Sequence, residues 1–191
     1  VEYRPREAPL VTYGVQAPIA ANGTWVFDDI TSAFNLPGDT HQGSLRITFE
    51  GGDGTTPVVV SRTYNDVAVG TYGQYVPAVP VMPPDEGNLY LPGLVHNAAY
   101  RTNLLLANLG PDPIGGIVVN ILDAYGTVVG TYGAGIPGSS SSLLVGIVDL
   151  AGVTEPLDLF TLEVDAGGAP VTASASLIDQ VTGDPVLYGP G

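Results

Sequence analysis

The stretch from Pro57 to Pro77, PVVVSRTYNDVAVGTYGQYVP, returns near the C-terminus as PVTASASLIDQVTGDPVLYGP, from Pro170 to Pro190. Pro57 matches Pro170, Ser61 matches Ser174, Asp66 matches Asp179, Gly70 matches Gly183, Tyr75 matches Tyr188 and Pro77 matches Pro190, all at one offset (170 − 57 = 113). An ungapped match of this kind marks one structural unit used twice. Whatever fold is assigned to one copy must therefore hold for the other. The repeat extends upstream, where Leu45–Glu50 falls on Phe160–Asp165 (160 − 45 = 115) and Ile19–Thr24 falls loosely on Ile136–Ser141. Val1 then lands near Val118 or Val119. Nothing in the first copy matches Ala99–Gly116, AYRTNLLLANLGPDPIGG, so the first copy is expected to lack its opening strand.

The local pattern is that of strands. Gly 26 and Pro 17 fall between short runs rich in Val, Ile, Thr and Tyr, and no segment keeps a 3.6-residue apolar period for long. Strands are expected over Val1–Arg6, Leu10–Gln16, Thr24–Phe27, Leu45–Phe49, Val58–Tyr64 and Gly70–Val76. In the second copy they are expected over Leu89–Leu94, Ala99–Asn108, Ile117–Asp123, Thr127–Tyr132, Leu143–Val148, Phe160–Asp165, Val171–Ile178 and Val186–Tyr188. Asp28–Phe34 is the one expected helical turn, with Asp28 or Asp29 as its cap. Gly51–Thr56, Asn35–Gly43 and Gly138–Ser142 read as turns or loops. The fold class is therefore all-β, with a first unit over 1–80, a proline-rich linker over 81–86 (within AVPVMPPDEG, Ala78–Gly87) and a second unit over 87–191.

Charge narrows the function. The net charge is −14; the only basic residues are Arg4, Arg6, Arg46, Arg62 and Arg101, and there is no lysine. A phosphate backbone or an anionic membrane surface is repelled by such a chain. No apolar run is long enough to span a membrane. Cys 0 excludes disulfides, thiolate metal sites and a cysteine nucleophile. Charged residues are only 13% of the chain, so its surface is largely Ser, Thr, Asn, Gly and Tyr, which suits an extracellular or cell-surface location.

Three stretches carry a resemblance. YRTNLLLANLG (Tyr100–Gly110), VVSRTYNDVAVGTYGQYVPAVP (Val59–Pro80) and ASLIDQVTGDPVLY (Ala175–Tyr188) resemble a repeat of secreted, multidomain bacterial proteins. In that pattern a unit opens with a Tyr/Phe-Arg-Thr-Asn-Leu strand and an Asn-x-Gly turn. It closes with a Ser-x-x-x-Asp segment and a Gly-Thr-Tyr/Phe-Gly-Gln or Thr-Gly-Asp-Pro turn. The resemblance implies two tandem Ig-like β-sandwich units and no established activity. Three explanations of the missing opening strand stay open: the chain is a fragment of a longer protein, Leu89–Leu94 pairs back onto the first unit, or a strand from another copy fills the gap.

Few residues invite chemistry. His41 and His96 are the only histidines, each in an expected loop without a ligand-spaced partner, and there is no Gly-x-Ser-x-Gly elbow. Asp66, Asp179 and Asp184 are calcium candidates against the simpler reading of turn-forming carboxylates; Asp28, Asp29, Asp39, Asp85 and Glu86 also lie in loops. Asp66, Gly70, Asp179 and Gly183 are read as the turns that define the repeat. Arg46, Arg62 and Arg101 are expected on outer faces, paired with nearby carboxylates. The 10 tyrosines, with Trp25, offer either a sugar platform or sandwich packing, and packing is favoured. Asn22-Gly23-Thr24 fits a glycosylation sequon, and Ser139–Ser142 is an O-glycan candidate. Gly51–Gly54 and Gly115-Gly116 precede no expected helix and read as strand-linking turns. Together these features lead us to expect a non-enzymatic extracellular structural or adhesive module that needs no cofactor, calcium apart. It is read as a surface-filament subunit whose partners are other copies of itself or neighbouring domains. The alternative is a carbohydrate-binding accessory module of a larger secreted enzyme, with glycans as its partners.

Overall fold

The computed structural model describes residues 1–6, 13–36, 41–51, 57–67, 70–78 and 87–190, with backbone alone for 63–67 and 70–72. It is all-β apart from two single-turn helices. The N-terminal half holds β1 (Glu2–Pro5), β2 (Tyr13–Gly14), α1 (Ile30–Ala33), β3 (Gly43–Arg46), β4 (Val60–Val67) and β5 (Gly70–Pro77). β1 is the middle strand of an antiparallel sheet in the order β2-β1-β3, and β4 and β5 form a separate hairpin. Tyr3 on β1 is buried and its ring meets those of Tyr13 and Phe34, with centroids 6.4 and 5.9 Å away. Its hydroxyl donates to the Gln42 carbonyl at 2.8 Å, which satisfies the one polar atom the ring carries inward. Gly43 lets β3 close on β1, because a Cβ there would run into the Arg4 carbonyl oxygen and the Tyr3 ring. Helix α1 starts at Asp29, whose carboxylate accepts from the Thr31 and Ser32 amides, as a capping aspartate should.

The C-terminal half holds β6 (Leu89–His96), β7 (Tyr100–Asn108), β8 (Ile114–Leu122), β9 (Val128–Ile136), β10 (Ser141–Leu144), α2 (Ile147–Leu150), β11 (Leu157–Asp165), β12 (Val171–Asp179) and β13 (Pro185–Tyr188). These strands make two four-stranded antiparallel sheets, β10-β7-β12-β13 and β6-β11-β8-β9. Period-two alternation decides which residues go inside. Ile117, Val119 and Ile121, then Phe160, Leu162 and Val164, meet Leu104, Leu106, Ala173 and Ala175 of the other sheet in one buried cluster. Removing a side chain such as Leu or Phe from water contributes about 1.5–3 kcal/mol. Large faces small across the central pair, with Leu106 opposite Ala173 and Leu104 opposite Ala175. Asn108, also buried, ends β7: its amide donates to the Asp112 carbonyl at 2.7 Å and the Pro137 carbonyl at 3.1 Å, and its oxygen accepts from Gly110 N–H at 2.9 Å. The Asn-x-Gly turn of the repeat signature is thus a fully bonded corner.

The two halves follow one plan. Apart from β10, which lies between β9 and α2, the order β1-β2-α1-β3-β4-β5 repeats the order β8-β9-α2-β11-β12-β13, and the sheet β2-β1-β3 repeats the run β9-β8-β11. The hairpins share a register under the 113-residue offset (170 − 57 = 113): Arg62 faces Tyr75 as Ala175 faces Tyr188, and Tyr64 faces Gly73 as Leu177 faces Val186. Sequence supports the earlier elements too, since Thr12-Tyr13-Gly14 with Pro18 repeats Thr131-Tyr132-Gly133 with Pro137. Phe27 precedes α1 by the spacing at which Leu144 precedes α2, which aligns Thr24–Phe27 with β10. Among the described residues, β6 and β7 have no counterparts in the N-terminal half. The halves touch where Arg6 bridges Ser141, where Ser140 Oγ donates to the Pro5 carbonyl at 3.3 Å, and where Ser176 Oγ lies 3.5 Å from Gln74 Oε1.

Several expectations are corrected. Thr24–Phe27 is not a strand, because β10 exists by pairing with β7 and Thr24–Phe27 has no such partner among the described residues. The strand expected over Leu45–Phe49 sits earlier: β3 begins at Gly43 and stops at Arg46, because β1 carries its pairing only as far as Glu2, opposite Arg46. Leu143–Val148 divides into the end of β10, a left-handed Gly146 and the start of α2. Gly138–Ser142 is not a loose loop: Ser140 and Ser141 are buried, which removes them as O-glycan sites. Among the described residues Leu89–Leu94 pairs with β11 and with no strand of the first half. The linker over 81–86 and the turn over 52–56 lie outside the described residues, as do Asp39, Asp53, Asp85 and Glu86.

Candidate functional site: the unfilled strand positions

In the C-terminal half, β7 lies between β10 and β12, and β6 borders β11. β12 is thereby paired on both sides, with β7 along its length and with β13 from Ala175 to Ile178. Among the described residues its counterpart β4 pairs with β5 alone, and β3, the counterpart of β11, pairs with β1 alone. Each of these two strands thus keeps one edge of backbone N–H and C=O groups without a described neighbour, the feature that sheets use to recruit another strand. Apolar side chains are uncovered beside them. Val60 is 65% exposed, while Ala173 at the matching position is 3% exposed. Val26 is 68% exposed, and the Trp25 and Phe27 rings sit on one side of their segment with centroids 4.1 Å apart. Phe27 aligns with Leu144, which packs on the C-terminal core.

The other sequence candidates are dispersed. His96, at the end of β6, points Nε2 at Asp149 Oδ1 of α2, 3.2 Å away. Fifty-three residues separate the pair (149 − 96 = 53), so no spacing rule finds it. Among the described residues no hydroxyl joins it, and His96 Nδ1 is buried without a partner, so no nucleophile–base–acid relay is assembled. His41 is elsewhere, in an open concavity of about 390 Å³ with Thr31, Ser32, Asn35 and Leu36. The hydroxyls and amides of Ser32 and Thr31 hold the Asp29 carboxyl pKa down at about 2, the Ser32 hydroxyl contributing most.

Asp179 closes its hairpin by accepting from the Val181 and Thr182 amides at 2.7 and 3.1 Å, and Gly183 supplies the positive φ the turn needs. Asp184 belongs to the same turn, its backbone N–H donating to Thr182 Oγ1. Asp66 faces Thr71 across the β4–β5 ladder, next to the pair of Val67 with Gly70. Among the described residues no three His, Cys, Asp or Glu side chains gather where a metal ion could be held. Asn22 is exposed in a left-handed turn closed by Gly23 N–H on the Ala20 carbonyl. Arg101 departs from the expectation of an outer-face pair: its Nε is buried without a hydrogen-bond partner. Arg4, which no motif marks, is buried with its guanidinium 3.6 Å from Glu2; burial, and then the nearby Arg46 charge, push its pKa down.

One polar row emerges only from strand register. Glu163 faces Tyr90 on one side and Asn120 on the other, and Asn120 faces Thr131. Its carboxylate accepts from Asn120 Nδ2, Asn88 Nδ2 and the Tyr90 hydroxyl at 2.8–2.9 Å, and these bonds lower its pKa in that order. The row crosses all four strands of one sheet.

No helix among the described residues is long and apolar enough to cross a membrane. No protein-family model matches the chain, and no match was found among curated proteins or solved structures.

Proposed function

We propose that this chain is a non-catalytic extracellular or cell-surface module, made of Ig-like sandwich units, that joins its neighbours by β-strand complementation as part of a surface filament. One observation carries the reading: the N-terminal half repeats β8, β9, α2, β11, β12 and β13 in order, with the same hairpin register, yet among the described residues has nothing in the places of β6 and β7. A sheet with one strand missing from its middle leaves both an apolar strip and a backbone edge uncovered, and complementation removes both at once. The resemblance to repeats of secreted bacterial proteins and the lysine-free, acidic composition agree with an exported location.

A second reading, a carbohydrate-binding accessory module, draws on the partly exposed Trp25 against Phe27 and on the Tyr90–Glu163–Asn120–Thr131 row. The test is the state of the protein in its native source. Complementation predicts exported assemblies that survive dilution, sized by light scattering and lost in Ser61→Pro, which removes a backbone donor from β4. A chain recovered as a monomer at every concentration contradicts it, and Trp25 quenching by glycans would then favour the second reading.

A further inference from the structure

The place that β7 takes in the C-terminal half has two sides. Leu106 faces Ser142 of β10 on one and Ala173 of β12 on the other. Carried to the N-terminal half, the positions flanking that one residue are Trp25 and Val60. Both are uncovered, and among the described residues their segments have no partner on the relevant side. The strand before β7 crosses to the other sheet, where β6 pairs with β11; its place in the N-terminal half is the open edge of β3.

We propose that the N-terminal half is a receptor for a two-strand unit whose strands enter its two different sheets, as β6 and β7 do in the C-terminal half, and that the second strand of the unit inserts between Thr24–Phe27 and β4. This rests on the complementation reading above and names its partner by chemistry. The partner has two strands of alternating apolar residues about a tight turn, of the type Leu89–Asn108, where Asn97 Oδ1 accepts from the Ala99 and Tyr100 amides. The first strand docks on β3, and the second carries a Leu at the position that meets Trp25 and Val60. Thr24–Phe27 then becomes the counterpart of β10, with Trp25 and Phe27 turned into the core.

Strand counting bears on the source of this two-strand unit. Among the described residues, each copy of the chain carries one unit of this type and two places for it. The C-terminal place is filled by the chain's own β6 and β7. Exchange between copies only moves the vacancy from one half to another, with no net gain in paired strands. With no second unit of this type among the described residues, we assign the donor to a neighbouring module.

Trp25 is the only tryptophan, so it reports the seam directly. The probe is a synthetic peptide of the sequence Leu89–Asn108 added to the full chain. Saturable one-to-one binding is expected, with a blue shift of Trp25 emission, a several-fold drop in acrylamide quenching and new amide protection at both Thr24–Phe27 and β4. Because the free peptide can aggregate, a second protein carries a duplicate of Leu89–Gly116 joined ahead of Val1, and the same burial of Trp25 is expected in that chain. Protection on β4 with Trp25 still quenched overturns the seam while leaving simple edge pairing intact. Trp25 fully quenched in both experiments, with no added protection, overturns the proposed receptor. Burial of Trp25 in the joined chain, with a native protein that never assembles, leaves the receptor standing and removes the filament reading.

Discussion

The two halves are built from the same elements in the same order, yet bury them to different depths. Phe160 on β11 is 1% exposed; Leu45, its sequence match on β3, is 40% exposed. The difference is not one of residue type, since both are large and apolar. It lies in what stands beside them. β11 has β6 on one side and β8 on the other, and its inner face meets the β7–β12 sheet; β3 has β1 alone among the described strands. A strand's contribution to stability is thus set by its neighbours more than by its own sequence, as strand propensity measured in different sheet positions also teaches.

The largest test of this contrast is a pair of truncations. Phe160→Ala is expected to cost about 3–5 kcal/mol in urea unfolding, because it leaves a cavity in a closed core. Leu45→Ala is expected to cost within about 0.5 kcal/mol, as surface changes do. Equal losses at the two sites would mean that the N-terminal half is already closed. Next in size is Asn108→Ala, which leaves the Asp112 and Pro137 carbonyls and the Gly110 amide without their partner; a loss of about 1–3 kcal/mol is expected. Asp179→Ala removes two turn hydrogen bonds at about 1 kcal/mol, read as a drop in the thermal midpoint. Chelation by EDTA is expected to leave that midpoint unchanged, and a fall would return Asp66, Asp179 and Asp184 to consideration as calcium ligands.

The smallest effect is acidic. Hydrogen bonds from Asn120, Asn88 and Tyr90 lower the Glu163 pKa in the folded chain. A depressed carboxyl stabilises above its unfolded value, and that contribution is lost as pH falls through the folded value. Glu163→Gln should therefore lower stability most at neutral pH, where the ionised carboxyl contributes fully, and the two proteins should converge as pH falls below about 4.5. An unchanged acid limb would show that the row adds nothing to stability.

Much of this was legible in the sequence. The 113-residue match located both hairpins, β4–β5 and β12–β13, and their shared register follows from the absence of a gap between them. The helical turn and an aspartate cap at Asp28 or Asp29 were legible because capping is a local event, and the structure places the cap at Asp29. Thr24–Phe27 misled for the opposite reason: its strand-like composition needs a partner that the described chain does not place there. The His96–Asp149 contact and the Glu163 row were invisible because they depend on which strands lie side by side. Neither follows from residue spacing along one chain.

Native-state hydrogen exchange on β4 and β12 tests the shared plan and its vacancy in one experiment. In the free chain, the β12 amides from Ala175 to Leu177 should all exchange slowly, since neighbours hold both edges. Those of β4 should alternate, slow where the N–H points to β5 and fast where it points to the edge without a described neighbour. Uniform slow exchange along β4 in a monomer would mean that its second edge is already occupied, and that the N-terminal half has nothing left to receive.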